Sequence, residues 1–154
     1  MSNPQLIQKF YTSFQNGDAK AMNECYADEI IFHDPAFGEL RGDKAKKMWE
    51  MLLERSKGEL KIEFSEVKAD ENKGSAKWIA RYKFAQTGRN VVNVIHAEFE
   101  FKDGKIIKHT DHFSLWKWSR QALGWKGWLL GWTGFMRGKI QKQTNTLLGK
   151  FMGN

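Results

Sequence analysis

From residue 60 onward the hydrophobic pattern takes a period of two, and this limits the available folds more than any other feature of the chain. Leu60, Ile62 and Phe64 alternate with charged residues. Trp78, Ala80, Tyr82 and Phe84 do the same, as do the runs from Val91 to Phe101 and from Ile106 to Trp116. Side chains on a strand alternate faces, so each run predicts a strand with one apolar and one polar side. Turn-forming residues part the runs at Asp70 to Gly74, Thr87-Gly88 and Asp103-Gly104, which gives a four-strand antiparallel meander. Its apolar face must be covered by something else in the chain.

The first third of the sequence supplies that cover. Leu6, Ile7, Phe10, Tyr11 and Phe14 fall at helical spacing within residues 5–15, and Gly17 ends the helix. Asp18 is placed to cap a second, short helix running to Tyr26. The stretch "EIIFH" predicts a short strand that Pro35 stops. Ala45, Met48, Trp49, Leu52 and Leu53 form a one-sided stripe on a third helix, with Asp43 as its expected cap. The expected architecture is α+β: a cone-shaped, curved antiparallel sheet wrapped around N-terminal helices over residues 1–116, with an extra C-terminal helical tail over 117–154.

Charge separates these two parts. Residues 117–154 hold seven Lys and Arg and no Asp or Glu, whereas residues 1–116 are balanced. The tail sequence "WKGWLLGWTGFMRGKIQKQ" spaces Trp125, Trp128, Trp132, Phe135 and Ile140 three to five residues apart, beside a stripe made by Gly127, Gly131, Gly134 and Gly138. Glycines disfavour a free helix, so the segment needs tertiary or partner support. It can close a pocket, bury itself in a homodimer, or lie on an anionic membrane surface; nucleic-acid binding has no motif behind it. The single Cys25 excludes an internal disulfide and Cys-rich metal sites. No apolar run approaches the ~20 residues of a membrane span, and the N-terminus lacks the apolar core of a signal peptide, so a cytoplasmic location is expected.

The "NGD" between helices one and two, "YADEIIFHDP" across the first strand and "GDKAKKMW" opening helix three resemble the nuclear-transport-factor-2-like superfamily. The likeness covers about residues 5–116 and is nearest to the SnoaL-like, ketosteroid-isomerase-like and limonene-epoxide-hydrolase-like members. It implies a conical half-barrel with a deep apolar pocket, often dimerised through the outer face of the sheet. It also implies an acid/base role for Asp34, which falls where the isomerases keep their general base. Their two oxyanion donors fall on Phe10 and Ala97, which cannot donate from their side chains, so steroid isomerase activity is not expected. Tyr11 is one residue off and about a 100° turn away round the helix. The epoxide-hydrolase comparison places a carboxylic acid at Asp111, but Lys83 breaks that group's relay beside Arg81. SnoaL-like cyclases need mainly one poised carboxylate in an apolar cavity, and Asp111 is the best match to it.

Strand periodicity gives the expected pocket. With Asp111 inward, Ile107, His109, Phe113 and Leu115 also face in, which sets His109 and Asp111 two apart on one face. Asp34, His109 and Asp111 are the candidate catalytic residues. Trp49, Trp78, Tyr82, Asn93, Phe99 and Phe113 are the candidate substrate-binding residues. An apolar cavity with few converging polar groups suits a small apolar ligand. No metal-ligand spacing is present, and no cofactor or metal is expected. Each polar residue also has a plainer role: Asp34 before Pro35 can be a turn former, and His109 with Asp111 can be a buried pair that fixes the sheet. Two functions follow. One is an acid/base enzyme of isomerase, cyclase or hydrolase type. The other is a non-catalytic carrier or scaffold that docks on a membrane or partner through its tail.

Overall fold

The computed structural model describes residues 1–124 and 134–153. These form helices α1 (Asn3–Gln15), α2 (Ala19–Glu24), α3 (Asp43–Ser56), α4 (Leu115–Leu123) and α5 (Gly134–Phe151). The strands are β1 (Tyr26–Asp34), β2 (Gly38–Arg41), β3 (Lys61–Ala69), β4 (Lys73–Lys83), β5 (Asn90–Lys102) and β6 (Lys105–His112). Trp125, Trp128, Trp132, Gly127 and Gly131 lie outside the described residues.

Helix α1 starts two residues earlier than its apolar stripe because Ser2 and Gln5 form a reciprocal capping box. Asp18 caps α2 by accepting from the Ala21 amide at 3.0 Å. Gly42, at φ 57°, stands at the N-cap of α3 without a side-chain bond. Asp43, expected there, is instead a first-turn residue, where its carboxylate suits the helix dipole.

One curved sheet carries all six strands in the order β2-β1-β6-β5-β4-β3. The β3–β6 meander is antiparallel as expected, whereas β1 joins it parallel to β6. The first strand is longer than "EIIFH", and it turns back through Pro35 into β2. Helix α1 packs on β3 and β4, α2 and α3 on β1, and α5 on α3. The core between them is rich in aromatic rings.

Two departures from strict alternation matter. A bulge at Ile107 makes Ile106 the fully buried residue and leaves Ile107 only half-buried. Strand β6 ends at His112 rather than at Trp116. Ser114 then caps α4 by accepting from the Lys117 amide at 3.2 Å, so Leu115 is buried as a helical residue and not as a strand residue.

Helix α4 lies against β5 beyond the point where β6 stops pairing with it. There the Gln121 side chain accepts from the Val92 amide at 2.8 Å and donates to the Val92 carbonyl at 3.0 Å. Among the described residues, no helix is long and apolar enough to cross a membrane.

Candidate functional site

His109 and Asp111 stand two apart on the inner face of β6 and are 0% and 2% exposed. Their Nε2 and Oδ1 atoms are 2.9 Å apart. The Trp78 indole of β4 donates to the same carboxylate oxygen at 3.2 Å. On its other side, His109 Nδ1 is 2.7 Å from the Tyr26 hydroxyl, which also accepts from the Trp49 indole at 2.9 Å. One proton arrangement satisfies all of these groups. Tyr26 donates to Nδ1, and a neutral His109 presents Nε2–H to an ionised Asp111. Tyr26 is the residue that sequence reasoning missed. It lies in phase with Ile30, Phe32 and Asp34 on the buried side of β1, but the strand begins at Tyr26 rather than at Glu29, and the exposed Asp28 interrupts the alternation between them.

Aromatic rings fill the space around His109. Phe99 lies 4.5 Å away between centroids, Phe32 5.2 Å and Phe10 5.5 Å, and Trp49 stacks at 6.1 Å. An open hollow beside His109 was expected, but the rings meant to line it meet one another instead. Two surface depressions, of about 560 and 530 Å³, reach Tyr26 and Phe99 respectively, but none of Asp34, His109 and Asp111 lines either.

Asp34 takes the turn-forming role considered for it. Its Oδ1 accepts from the amides of Ala36 at 2.9 Å and Phe37 at 2.6 Å, so it forms the turn after β1. It is also buried. Burial pushes its carboxyl up to about 7, the Asp111 charge adds to the rise, and the two amides oppose it. The register of β1 and β6 pairs His33 with Thr110, so the buried Asp34 and Asp111 each stand one residue beyond that pair on neighbouring strands.

Of the other candidates, Trp49, Trp78 and Phe99 belong to the His109–Asp111 cluster. Asn93 is buried opposite Ala80 on β4. It is four residues along β5 from Ala97, the direct neighbour of Asp111, hence about 13 Å from it. Tyr82 is half-buried, and its hydroxyl accepts from the Trp118 indole at 2.6 Å. Phe113 is half-buried just past the end of β6.

One further group faces this interior. Tyr11 is fully buried on α1, stacked on Phe64 and beside Trp78, and its hydroxyl has no hydrogen-bond partner. Burial and then the Asp111 charge hold its phenol well above the usual range, so it stays protonated and able to donate. Among the described residues, no three His, Cys, Asp or Glu side chains are grouped to hold a metal ion.

Comparison with known proteins places this geometry in a wider set. The model of the family described as "SnoaL-like domain" matches residues 7–109. A candidate polyketide cyclase from Xanthomonas campestris is 21% identical, with 78% of this chain and 98% of that one covered at a TM-score of 0.62. An epoxide hydrolase from M. tuberculosis, of limonene-epoxide-hydrolase-like type, is 19% identical over 81% and 90% of the two chains at 0.59. A candidate hydroxylase from Streptomyces galilaeus is 18% identical over 71% and 76% at 0.59. These similarities show a shared fold. None of the curated proteins matches the chain.

Proposed function

The chain belongs to the SnoaL-like domain family, and from that premise we propose that its interior takes a small apolar molecule carrying a carbonyl or epoxide oxygen and works on it by acid/base chemistry. The observation that carries this reading is the buried, unpartnered hydroxyl of Tyr11 near the Asp111 charge. An unpaired buried hydroxyl costs about 1–3 kcal/mol, a cost that a ligand oxygen accepting from it would offset.

Tyr11 would donate to the negative charge developing on that oxygen. Asp34, with its carboxyl at about 7, is suited to give or take a proton near neutral pH. Asp111, held by His109 and Trp78, would supply the fixed negative charge or activate a water. The guest would make room by turning aside the rings of Phe10, Phe32 and Trp49.

Removing the hydroxyl tests the reading. Tyr11→Phe is expected to stabilise the free protein by about 1 kcal/mol and to weaken binding of an apolar ketone such as 2-tetralone by about tenfold, read by quenching of Trp fluorescence. A variant that binds the ketone as well as the parent does would remove Tyr11 from the site.

The carrier reading has its own support, since the His109–Asp111 pair is satisfied within the protein. Native mass spectrometry of the purified chain would identify a co-purified ligand. A ligand retained and unchanged by wild type and by the Asp34→Asn, Asp111→Asn double variant alike would favour the carrier.

A further inference from the structure

We infer that helix α5 is part of the candidate site, and that its Gln141 and Thr144 are positioning residues for Asp34, acting through the turn between β1 and β2. The inference rests on the reading of Asp34 as a working group.

Two of the turn's peptide planes are each held at both ends. In a trans peptide the carbonyl oxygen and the amide hydrogen point in opposite directions. The plane joining Pro35 to Ala36 gives its N–H to Asp34 Oδ1 at 2.9 Å and takes a hydrogen bond on its oxygen from Gln141 Nε2 at 3.1 Å. The plane joining Ala36 to Phe37 gives its N–H to the same carboxylate oxygen at 2.6 Å, and its oxygen accepts from Thr144 Oγ1 at 2.7 Å. The Thr144 hydroxyl has a second acceptor in range, the Gln141 carbonyl, but that lies further away at 3.0 Å. Asn145 completes the grip by donating to the Phe37 carbonyl at 2.8 Å.

Residues 141, 144 and 145 share one helix face, so a single docked helix delivers all three donors. Close approach is built into the sequence as well. Gly38 has φ 74°, and a side chain there would begin 3.3 Å from Gln141 Oε1. Leu148, buried one turn further along α5, anchors the helix in the core.

A peptide plane whose oxygen accepts a hydrogen bond is a stronger donor through its N–H. Helix α5 thus strengthens and aims the two amides that hold the Asp34 carboxylate. The other groups acting on Asp34 are Asp111 on β6 and its own turn amides; the Tyr26 phenol on β1 also feels the Asp34 charge, while Lys139 and Lys142 of α5 are exposed to solvent.

The test is a carboxyl-carbon NMR titration of Asp34 in the full, ligand-free chain, so it does not depend on any ligand or turnover. Gln141→Leu and Thr144→Val keep the cover over the turn and remove one donor each. Each is expected to raise the Asp34 midpoint by about 0.5 in pH, while Thr144→Ser keeps the wild-type midpoint. Gln141→Leu decides alone if Thr144→Val does not fold. Unchanged midpoints would overturn the inference. So would a fall toward the ordinary carboxylate range, which would mean that α5 merely keeps water away from Asp34.

Discussion

Asparagine in place of Asp34 is expected to make this protein markedly more stable at pH 8 and no more stable at pH 4. The amide side-chain oxygen can still accept from the Ala36 and Phe37 amides, so the turn survives the change. What changes is the proton. In the folded chain the Asp34 carboxyl loses its proton at about 7, against an ordinary value of 3.8. Between those values the folded state holds a proton that the unfolded state has released. The stability that this proton contributes is complete below about pH 4 and is lost as pH rises through 7. The whole loss amounts to about 4 kcal/mol, and above pH 7 the wild type bears it in full. The Asp34→Asn variant has no carboxyl to ionise there and so escapes the loss, which for a domain of this size means a gain on the order of 10 °C in Tm at pH 8. Denaturant melts of both proteins at pH 4, 6 and 8 check this. Stability curves that run parallel across that range would show that Asp34 titrates alike in both states.

His109→Leu is expected to produce the largest loss. It takes from Asp111 its shortest hydrogen bond and from Tyr26 its acceptor, in a site where both residues are almost wholly buried. A buried carboxylate left with the Trp78 indole alone should cost about 3–5 kcal/mol at pH 7. Adding Asp111→Leu to His109→Leu removes that charge outright and should recover a good part of the loss, although Tyr26 and Trp78 then lack partners. Urea denaturation of the two single variants and the double variant gives the coupling directly. Simply additive losses would show that the pair is not a unit.

Much of the fold was legible because it rests on periodicity. The inner face of β5, with Val91, Asn93, Ile95, Ala97, Phe99 and Phe101, is buried in the alternation the sequence displays. Alternation fails where the backbone slips. The bulge at Ile107 moves a residue to the other face, and the register shift after Tyr26 leaves Asp28 exposed where strict alternation would bury it. Strand β2 escaped notice because "GELR" is too short and too polar to show a period. Leu115 fitted both a continuing strand and a new helix, and the Ser114 cap decided between them.

The candidate site was legible as a list of residue types and much less so as a set of bonds. Spacing alone set His109 beside Asp111. No spacing rule links Tyr26 or Trp49 to a histidine sixty or more residues away. Tyr11, set aside for its angle round α1, proves to be fully buried within reach of the Asp111 field. Helix packing decides that, because a helix pressed on a curved sheet buries more than one line of side chains. The grip of α5 on the Asp34 turn links residues more than a hundred positions apart.

The way Gln121 clasps Val92 bears on how this protein fails. That one side chain stands in for the missing continuation of β6. A protease that released α4 would bare a run of backbone donors and acceptors from Asn90 to Ile95, flanked by the solvent-facing Val92 and Val94. Such a margin is a template for another copy's backbone, so damage far from Asp34 and Asp111 would show itself first as aggregation rather than as loss of binding.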